Sequence, residues 1–469
     1  MEISSVQDQI IDKYTGIKIH FVAIGGSAMH NLAIALKKKG CQITGSDDDI
    51  FEPSSSRLAQ YGLMPSSLGW HPSRIHKGLD AVILGMHAKA DNPELARAIK
   101  LGIKIYSYPE FLYEHSRNKT RIVIAGSHGK TTITSIILHV LQYHKINTDY
   151  MVGAHLDGFD VMVKLSDDAP YMVMEGDEYL SSALDKRPKF HIYKPQIALI
   201  SGIAWDHINV FPTFENYIDQ FRTFIQLIEE NGKLIYCAND DTLTKLCNEF
   251  RNSSLCIFPY SLPAHEIIEG KTHIKLEKNL YPINIFGQHN LMNLSGALSL
   301  CKQLGVSDSM FYEAIRSFSG ASNRLELLAK SDKTIVFKDF AHAPSKVKAS
   351  MRAVKEQFKN GKLYAFLELH TYSSLNTNFV DEYRGTLDDA DECVIFYNPH
   401  TLKIKGLPML SPEQIKNAFN KPGLVVVDEP GKLQKIILGK RENEGCFLFM
   451  SSGNFGNLNL QQIASELIE

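Results

Sequence analysis

Residues 124–137 read IAGSHGKTTITSII: an apolar run, a glycine turn and a helix-like stretch. Gly126, Ser127, His128, Gly129, Lys130, Thr131 and Thr132 make a compact G-x-x-G-K-T-T turn. Glycines let backbone N–H groups point at an anion, and the N-terminus of the following helix adds a favourable dipole. Lys130 would reach the β- and γ-phosphates of a nucleotide, and the Thr131 hydroxyl would bind Mg²⁺. The longer phosphate-loop spacing asks for glycine at position 124, which is Ile124, so the turn is a short variant. The bland alternative is a strand–turn–helix with a solvated lysine.

Further reactive groups sit where other apolar runs end. YMVMEGDE (171–178) closes in Glu175, Asp177 and Glu178. Carboxylates at the carboxyl end of a parallel strand face the usual ligand crevice, and hard oxygen donors suit Mg²⁺. His207, in WDH (205–207), could hold a second metal or bond a carboxylate, although a lone histidine is more often structural. In GGSAMH, Gly25 and Gly26 are adjacent and Ser27 follows, so the dinucleotide pattern G-x-G-x-x-G fails. Asp47 nevertheless lies about twenty residues on, as a ribose-binding acid would. One reading of this block is an NAD(P)-dependent oxidoreductase. The other is a diphosphate-bearing substrate held by Gly25, Gly26, Ser27 and the Ser46–Asp47 turn. Asn290 and Asn293 share a helix face in GQHNLMN, and amides read adenine edges well. Asp339 and His342 follow a strand in KDFAHAP, and NRLE supplies Arg324. Asp185, Lys186 and Arg187 read equally as a substrate contact or a solvated charge cluster.

These groups need strands and helices to hold them. IHFVAIGG reads as a buried strand, SAMHNLAIALKKKGC as a helix stopped by Gly40, and QITGSDDD as a strand running into an acidic turn. That is a βαβ unit, and the pattern recurs from RIVIAGSHGKTT onward and again beyond residue 320, predicting mainly parallel sheets. NYIDQFRTFIQLIEENG (216–232) reads as an amphipathic helix closed by glycine, and GQHNLMNLSGALSLCKQLG (287–305) as another helix. HSRNKT (115–120) is a polar linker. The chain has 469 residues, enough for two to four domains at roughly 100–200 residues each. A net charge of −2 argues against a broad nucleic-acid surface. Seven cysteines without a C-x-x-C pair suggest free thiols rather than a zinc site. With no apolar signal core and no stretch approaching about 18 apolar residues, a cytoplasmic enzyme is the expectation.

Taken in order, AIGGSAMHNLA, TGSDDDIFEPSSSRL, AGSHGKTT, EGDEY, WDH, GQHNLMN, NRLE and DFAHAP resemble the Mur ligase family nearly end to end. The resemblance implies an α/β fold of three domains: a Rossmann-like UDP-substrate domain over 1–116, a central P-loop ATPase domain over 117–319, and a Rossmann-like ligase domain over 320–469. It implies an ATP-dependent amide-bond-forming ligase of peptidoglycan synthesis or recycling, using ATP and Mg²⁺ and releasing ADP and phosphate. Lys130, Glu175, His207, Arg324 and His342 would carry catalysis. Gly126–Thr132, Asn290, Asn293, Arg324 and Asp339 would hold ATP. Thr131, Glu175 and His207 would hold metal. Gly25, Gly26, Ser27, Ser46, Asp47, Lys186 and Arg187 would hold the UDP substrate. The chain start and GSDDDIF look like the branch acting directly on UDP-N-acetylmuramate. DKRPKF and GNFG (453–456) look more like its peptide-adding member than its L-alanine-adding one. No nucleic acid or membrane partner is implied. The sequence departs from the family at Ala343, where a second histidine is usual. It departs again in LELHTYSSLNTNF (367–379), where Thr371, Tyr372 and Ser373 stand near a missing arginine.

Overall fold

Parallel strands flanked by helices dominate the computed structural model, which describes residues 14–153, 159, 161–205, 210–318, 325–359 and 361–469. The first sheet contains β1 (Lys18–Val22), β2 (Gln42–Ser46), β3 (Ala81–Leu84) and β4 (Lys104–Ser107), in the order β2-β1-β3-β4 and all parallel. The second contains β5 (Thr120–Ala125), β6 (Thr148–Met151), β7 (Val163–Lys164), β8 (Tyr171–Gly176), β9 (Ile197–Ile200), β10 (Lys233–Cys237) and β11 (Cys256–Tyr260). Its order is β11-β10-β9-β5-β8-β6-β7, with only β7 antiparallel. Both sheets are the α/β class expected, and the reason is visible in β5. Ile122, Val123, Ile124 and Ala125 are all fully buried, as a strand covered on both faces requires.

A small antiparallel sheet follows: β12 (His265–Ile268), β13 (Lys271–Leu276) and β14 (Asn279–Ile283). The last sheet holds β15 (Glu326–Lys330), β16 (Thr334–Asp339), β17 (Leu363–Leu369), β18 (Glu392–Tyr397), β19 (Val425–Val427) and β20 (Gly445–Met450). Its order is β15-β16-β20-β17-β18-β19, with β15 alone antiparallel. Aromatic pairs knit its centre: Tyr364 on Phe447 and Phe366 on Phe449, with ring centroids 4.7 and 4.8 Å apart.

The chain divides into two compact units: residues 1–261 with 296–314, and 262–295 with 315–469. The small antiparallel sheet thus groups with the C-terminal residues rather than with the rest of the 117–319 block. The helix Tyr108–Ser116 ends at 116, and residues on both sides of it fall in the first unit. One helix is shorter than expected. It spans Phe214–Gln226 and stops before the glycine at 232. There the chain turns instead, with Glu229 N–H on the Pro195 carbonyl and Gly232 N–H on the Glu229 carbonyl, to enter β10 beside β9. Among the described residues, no helix is long and apolar enough to cross a membrane.

Candidate functional site

β5 lies between β9 and β8, so the loops leaving the carboxyl ends of these three strands are neighbours. The loop after β5 is the glycine turn. Gly126 has φ +122°, and a Cβ there would sit 2.2 Å from Ser201 Oγ, so only glycine fits. Gly129, with φ +81°, starts the helix Lys130–Tyr143 and supplies no side-chain cap. The first-turn N–H groups of that helix lack intrahelical partners and remain for an anion. Ser127 anchors the turn: its Oγ is 2.9 Å from Tyr217 OH and accepts from Ala204 N–H at 2.8 Å. Ser201, just past β9, donates to the His128 carbonyl. Ser201 and Tyr217 were not singled out from sequence. For Ser201 a signal existed, because a Ser-Gly pair follows the apolar strand β9 much as Gly126-Ser127 follows β5.

Lys130 Nζ lies 2.7 Å from the Gly126 carbonyl and 2.7 Å from Glu178 Oε2. Burial works to lower its pKa, but the Glu178, Asp177 and Glu175 carboxylates outweigh that and raise it, so the ammonium stays charged. Glu178 is itself fixed by Tyr217 OH at 3.1 Å. Asp177 is clamped by Lys189 at 2.6 Å. Glu175, at the end of β8, accepts from Thr131 Oγ1 at 3.2 Å through Oε2. Its Oε1 is buried with no hydrogen-bond partner. Burial pushes its pKa up to about 7, against the pull of Lys130 and Thr131. A buried carboxylate oxygen left unbonded beside a threonine hydroxyl is the donor set a hard divalent cation completes, so Thr131 and Glu175 fit Mg²⁺. Among the described residues, no cluster of three His, Cys, Asp or Glu side chains forms a metal site. His207 lies outside the described residues, as does Arg324.

The first sheet opens a second crevice. Its order puts β1 between β2 and β3, a topological switch point where ligands bind at the strands' carboxyl ends. Gly25, Gly26 and the exposed Ser27 leave β1, and Gly26 begins the helix Ser27–Lys38 without a side-chain cap. Asp47 Oδ2 accepts the Gly25 N–H at 2.7 Å, and burial pushes the Asp47 pKa up to about 6. Ser46 turns inward: it is fully buried, donates to Glu94 Oε1 at 2.7 Å and receives Arg74 Nη1 at 2.8 Å. Its hydroxyl therefore holds the turn rather than facing the crevice. Lys186 is exposed, and Arg187 is bracketed by Asp185 at 2.6–3.0 Å.

Asn290, Asn293, Asp339 and His342 all fall in the second unit. Asn290 and Asn293 sit three apart on the helix Gln288–Gln303, each nearly buried. Asp339 ends β16 and accepts the Ser350 hydroxyl, and His342 Nδ1 is 2.7 Å from the Phe340 carbonyl. The helix Pro344–Gln357, just after His342, also starts without a side-chain cap. One acid here was missed. Glu368, buried at the end of β17, accepts the Ser451 hydroxyl and the Phe455 N–H, the latter at 2.8 Å. A Cβ on Gly453 would meet Glu368 Oε2 at 2.8 Å and His370 Cγ at 2.7 Å. A lone acid inside the apolar run KLYAFLELH was the available signal.

Comparison with known proteins adds four findings. Residues 124–301 match the Mur ligase middle domain, and residues 18–120 match the Mur ligase family, catalytic domain. The chain is 26% identical to the UDP-N-acetylmuramate–L-alanyl-γ-D-glutamyl-meso-2,6-diaminoheptandioate ligase of Haemophilus influenzae, over 96% of this chain and 99% of that one. It is 30% identical to the UDP-N-acetylmuramate–L-alanine ligase of Caldicellulosiruptor bescii, over 81% of this chain and 83% of that one. In fold it resembles the crystal structure of the UDP-N-acetylmuramate-alanine ligase of Thermotoga maritima, with a TM-score of 0.72, 20% identity, and coverage of 96% and 98% of the two chains.

Proposed function

The chain belongs to the Mur ligase family of ATP-dependent amide-bond-forming ligases, and from that premise we propose that it joins a short peptide to the lactyl carboxylate of UDP-N-acetylmuramate. The near end-to-end similarity to the Haemophilus influenzae ligase supports a peptide of the L-alanyl-γ-D-glutamyl-diaminopimelate type. The DKRPKF and GNFG stretches support the same choice. The observation that carries the ligase reading is the uncapped helix start at Gly129, with Lys130 on it and the unsatisfied carboxylate of Glu175 beside it.

The sugar carboxylate attacks the γ-phosphorus of ATP, ADP departs, and an acyl phosphate remains. The peptide amine then attacks the acyl carbon and phosphate leaves. The obstacle is charge. A carboxylate about 4 Å from an anionic phosphate is repelled by about 4 kcal/mol at an effective dielectric near 20. Lys130 and the N–H groups of 126–132 hold the β- and γ-phosphates against that repulsion. Thr131 and Glu175 hold Mg²⁺, which supplies further positive charge at the same place. His207 helps to hold a second metal. Asn290 and Asn293 contact adenine and Asp339 the ribose. Arg324 and His342 come from the C-terminal block, and domain closure keeps water from the acyl phosphate. Gly25, Gly26, Ser27 and Asp47 bind the UDP substrate, with Lys186 and Arg187 adding contacts. The blocks 1–116, 117–319 and 320–469 are the corresponding working domains, in the cytoplasm.

A second reading, L-alanine addition by the same chemistry, is favoured by the 30% identity to the Caldicellulosiruptor bescii ligase. Phosphate release from purified protein with ATP, Mg²⁺, UDP-N-acetylmuramate and either L-alanine or the tripeptide separates the two. The tripeptide is expected to support release. Turnover with L-alanine alone reverses the choice, and release with neither amine ends the ligase reading.

A further inference from the structure

We infer that Glu94, which is not itself in the first crevice, is the positioning residue for the turn that receives the UDP substrate; the inference rests on the reading that this crevice holds that substrate. Glu94 is fully buried on the first turn of the helix Pro93–Leu101. It is not needed as the helix cap, because Asn92 Oδ1 already accepts the Glu94 and Leu95 N–H groups at 2.9 and 3.1 Å. Its carboxylate instead ties three segments together. Oε1 accepts Ser46 Oγ and the His71 N–H, both at 2.7 Å, and Oε2 lies 3.4 Å from His20 Nε2. His20 is held in turn by Thr44 Oγ1 at 2.8 Å.

From Ser46 the constraint passes to the crevice. The Ser46 carbonyl accepts the Ala23 and Ile24 N–H groups at 2.9 and 3.1 Å. The next residue, Asp47, holds Gly25 N–H through its side chain and Gly69 N–H through its carbonyl, at 2.7 and 2.8 Å. The tolerance is narrow: a Cβ on Gly25 would approach Asp47 Oδ2 to 2.9 Å. Keeping a carboxylate wholly out of water is costly unless hydrogen bonds compensate. Burial raises the Glu94 pKa, yet His20, Ser46 and the His71 N–H outweigh it and leave the group below its ordinary range. An apolar side chain would pack this space without that cost. What it could not do is hold Ser46 and the His71 backbone in register.

The test is steady-state kinetics of the full-length enzyme with each substrate varied in turn. Glu94→Ala is expected to raise KM for UDP-N-acetylmuramate about ten-fold or more, with KM for ATP and kcat within about twofold. Glu94→Gln, whose amide oxygen still accepts from Ser46 and His71, is expected to restore that KM to within about threefold. Should Glu94→Ala fail to fold, Ser46→Ala, which removes one bond, is expected to raise the same KM about threefold. A raised KM in Asp47→Ala beside unchanged KM values in Glu94→Ala and Ser46→Ala overturns this inference alone. An unchanged KM in Asp47→Ala overturns the crevice reading, and the inference with it.

Discussion

Glu175 and Glu94 are both nearly hidden from solvent, yet their environments are opposite. Glu94 has a partner on each oxygen, and its pKa lies below the ordinary range despite burial. Glu175 has one oxygen without a partner, and burial pushes its pKa up to about 7. The Tyr108 and Tyr193 hydroxyls are likewise buried without hydrogen-bond partners, and Glu175 is among the groups that raise both their pKa values. Helix starts divide less cleanly. Asn92, Ser107, Thr213, Asp240, Ser411 and Asn459 cap their helices with side chains. The helices that begin at the two glycine turns and after His342 have no such cap, and neither do those that begin at Ser54, Lys189 and Pro430. The Glu94 carboxylate is satisfied within the protein, whereas that of Glu175 is left for a ligand to satisfy.

If that contrast holds, damage at the site removes rate, whereas damage to the support removes stability or, at Glu94, substrate affinity. The largest effect belongs to Lys130. Lys130→Ala should lower kcat in the phosphate-release assay by about 10³-fold, roughly 4 kcal/mol, the scale of losing one transition-state donor. Full phosphate release in that variant would instead remove Lys130 from the phosphate site. On the supporting side, Asp149 is fully buried and accepts His115 Nε2 and Ser166 N–H at 3.0 Å and Ser166 Oγ at 2.7 Å, with Lys119 Nζ 3.0 Å away. Asp149→Ala strands those donors and should destabilise the fold by about 3 kcal/mol in urea unfolding, with kcat per folded molecule within about twofold. A kcat loss as large as that of Lys130→Ala would abolish the distinction.

Glu175 sharpens the comparison through pH. Its folded pKa lies above the ordinary 4.5, so between 4.5 and about 7 the native chain keeps a proton the unfolded chain has lost. Its contribution to stability is therefore greatest at low pH and is lost as pH rises through that window. Glu175→Gln cannot ionise, so its stability advantage over the parent in urea unfolding should grow from about pH 5 to about pH 8, reaching on the order of 2 kcal/mol. The same variant should lose Mg²⁺-dependent phosphate release. In the parent, Mg²⁺–ATP affinity should fall below about pH 7, because the carboxyl must shed its proton to bind metal.

The sequence showed the site better than its support, for a physical reason. Gly126, Gly129, Lys130 and Glu175 stand at the ends of apolar strands, so local pattern alone marks the crevice. The parallel sheets were legible from the same alternation of apolar runs and helices. Glu94, His20 and Asp149 work through partners 23 to 74 residues away for Glu94 and His20, and 17 to 34 for Asp149, which no local pattern reveals. The sheet β12–β14 went unread because its signals are weak. Its two turns depend on Glu269, Gly270 and Glu277 at positive φ (50°, 71° and 54°), and glutamate is no turn former. Ser46 precedes Asp47 and so reads as a crevice group in the sequence. Strand alternation turns its side chain to the opposite face.

The smallest expected effect tests where the boundary between site and support falls on the surface. Arg187 is exposed and paired with Asp185 two residues before it, at 2.6–3.0 Å. The Asp185 pair lowers the carboxyl pKa, but an exposed ion pair contributes little to folding, under about 0.5 kcal/mol here. Arg187→Ala should therefore leave the melting temperature nearly unchanged. That makes its kinetics easy to read, since any change in KM for UDP-N-acetylmuramate reports substrate contact rather than lost folding. A substrate diphosphate competing with Asp185 for the guanidinium predicts a rise of about three- to fivefold. An unchanged KM would mean that the Asp185–Arg187 pair only shapes the turn between Leu180 and Pro188, which bridge one another. Lys186, equally exposed, would then lose its claim too, and the UDP crevice would be confined to the first sheet.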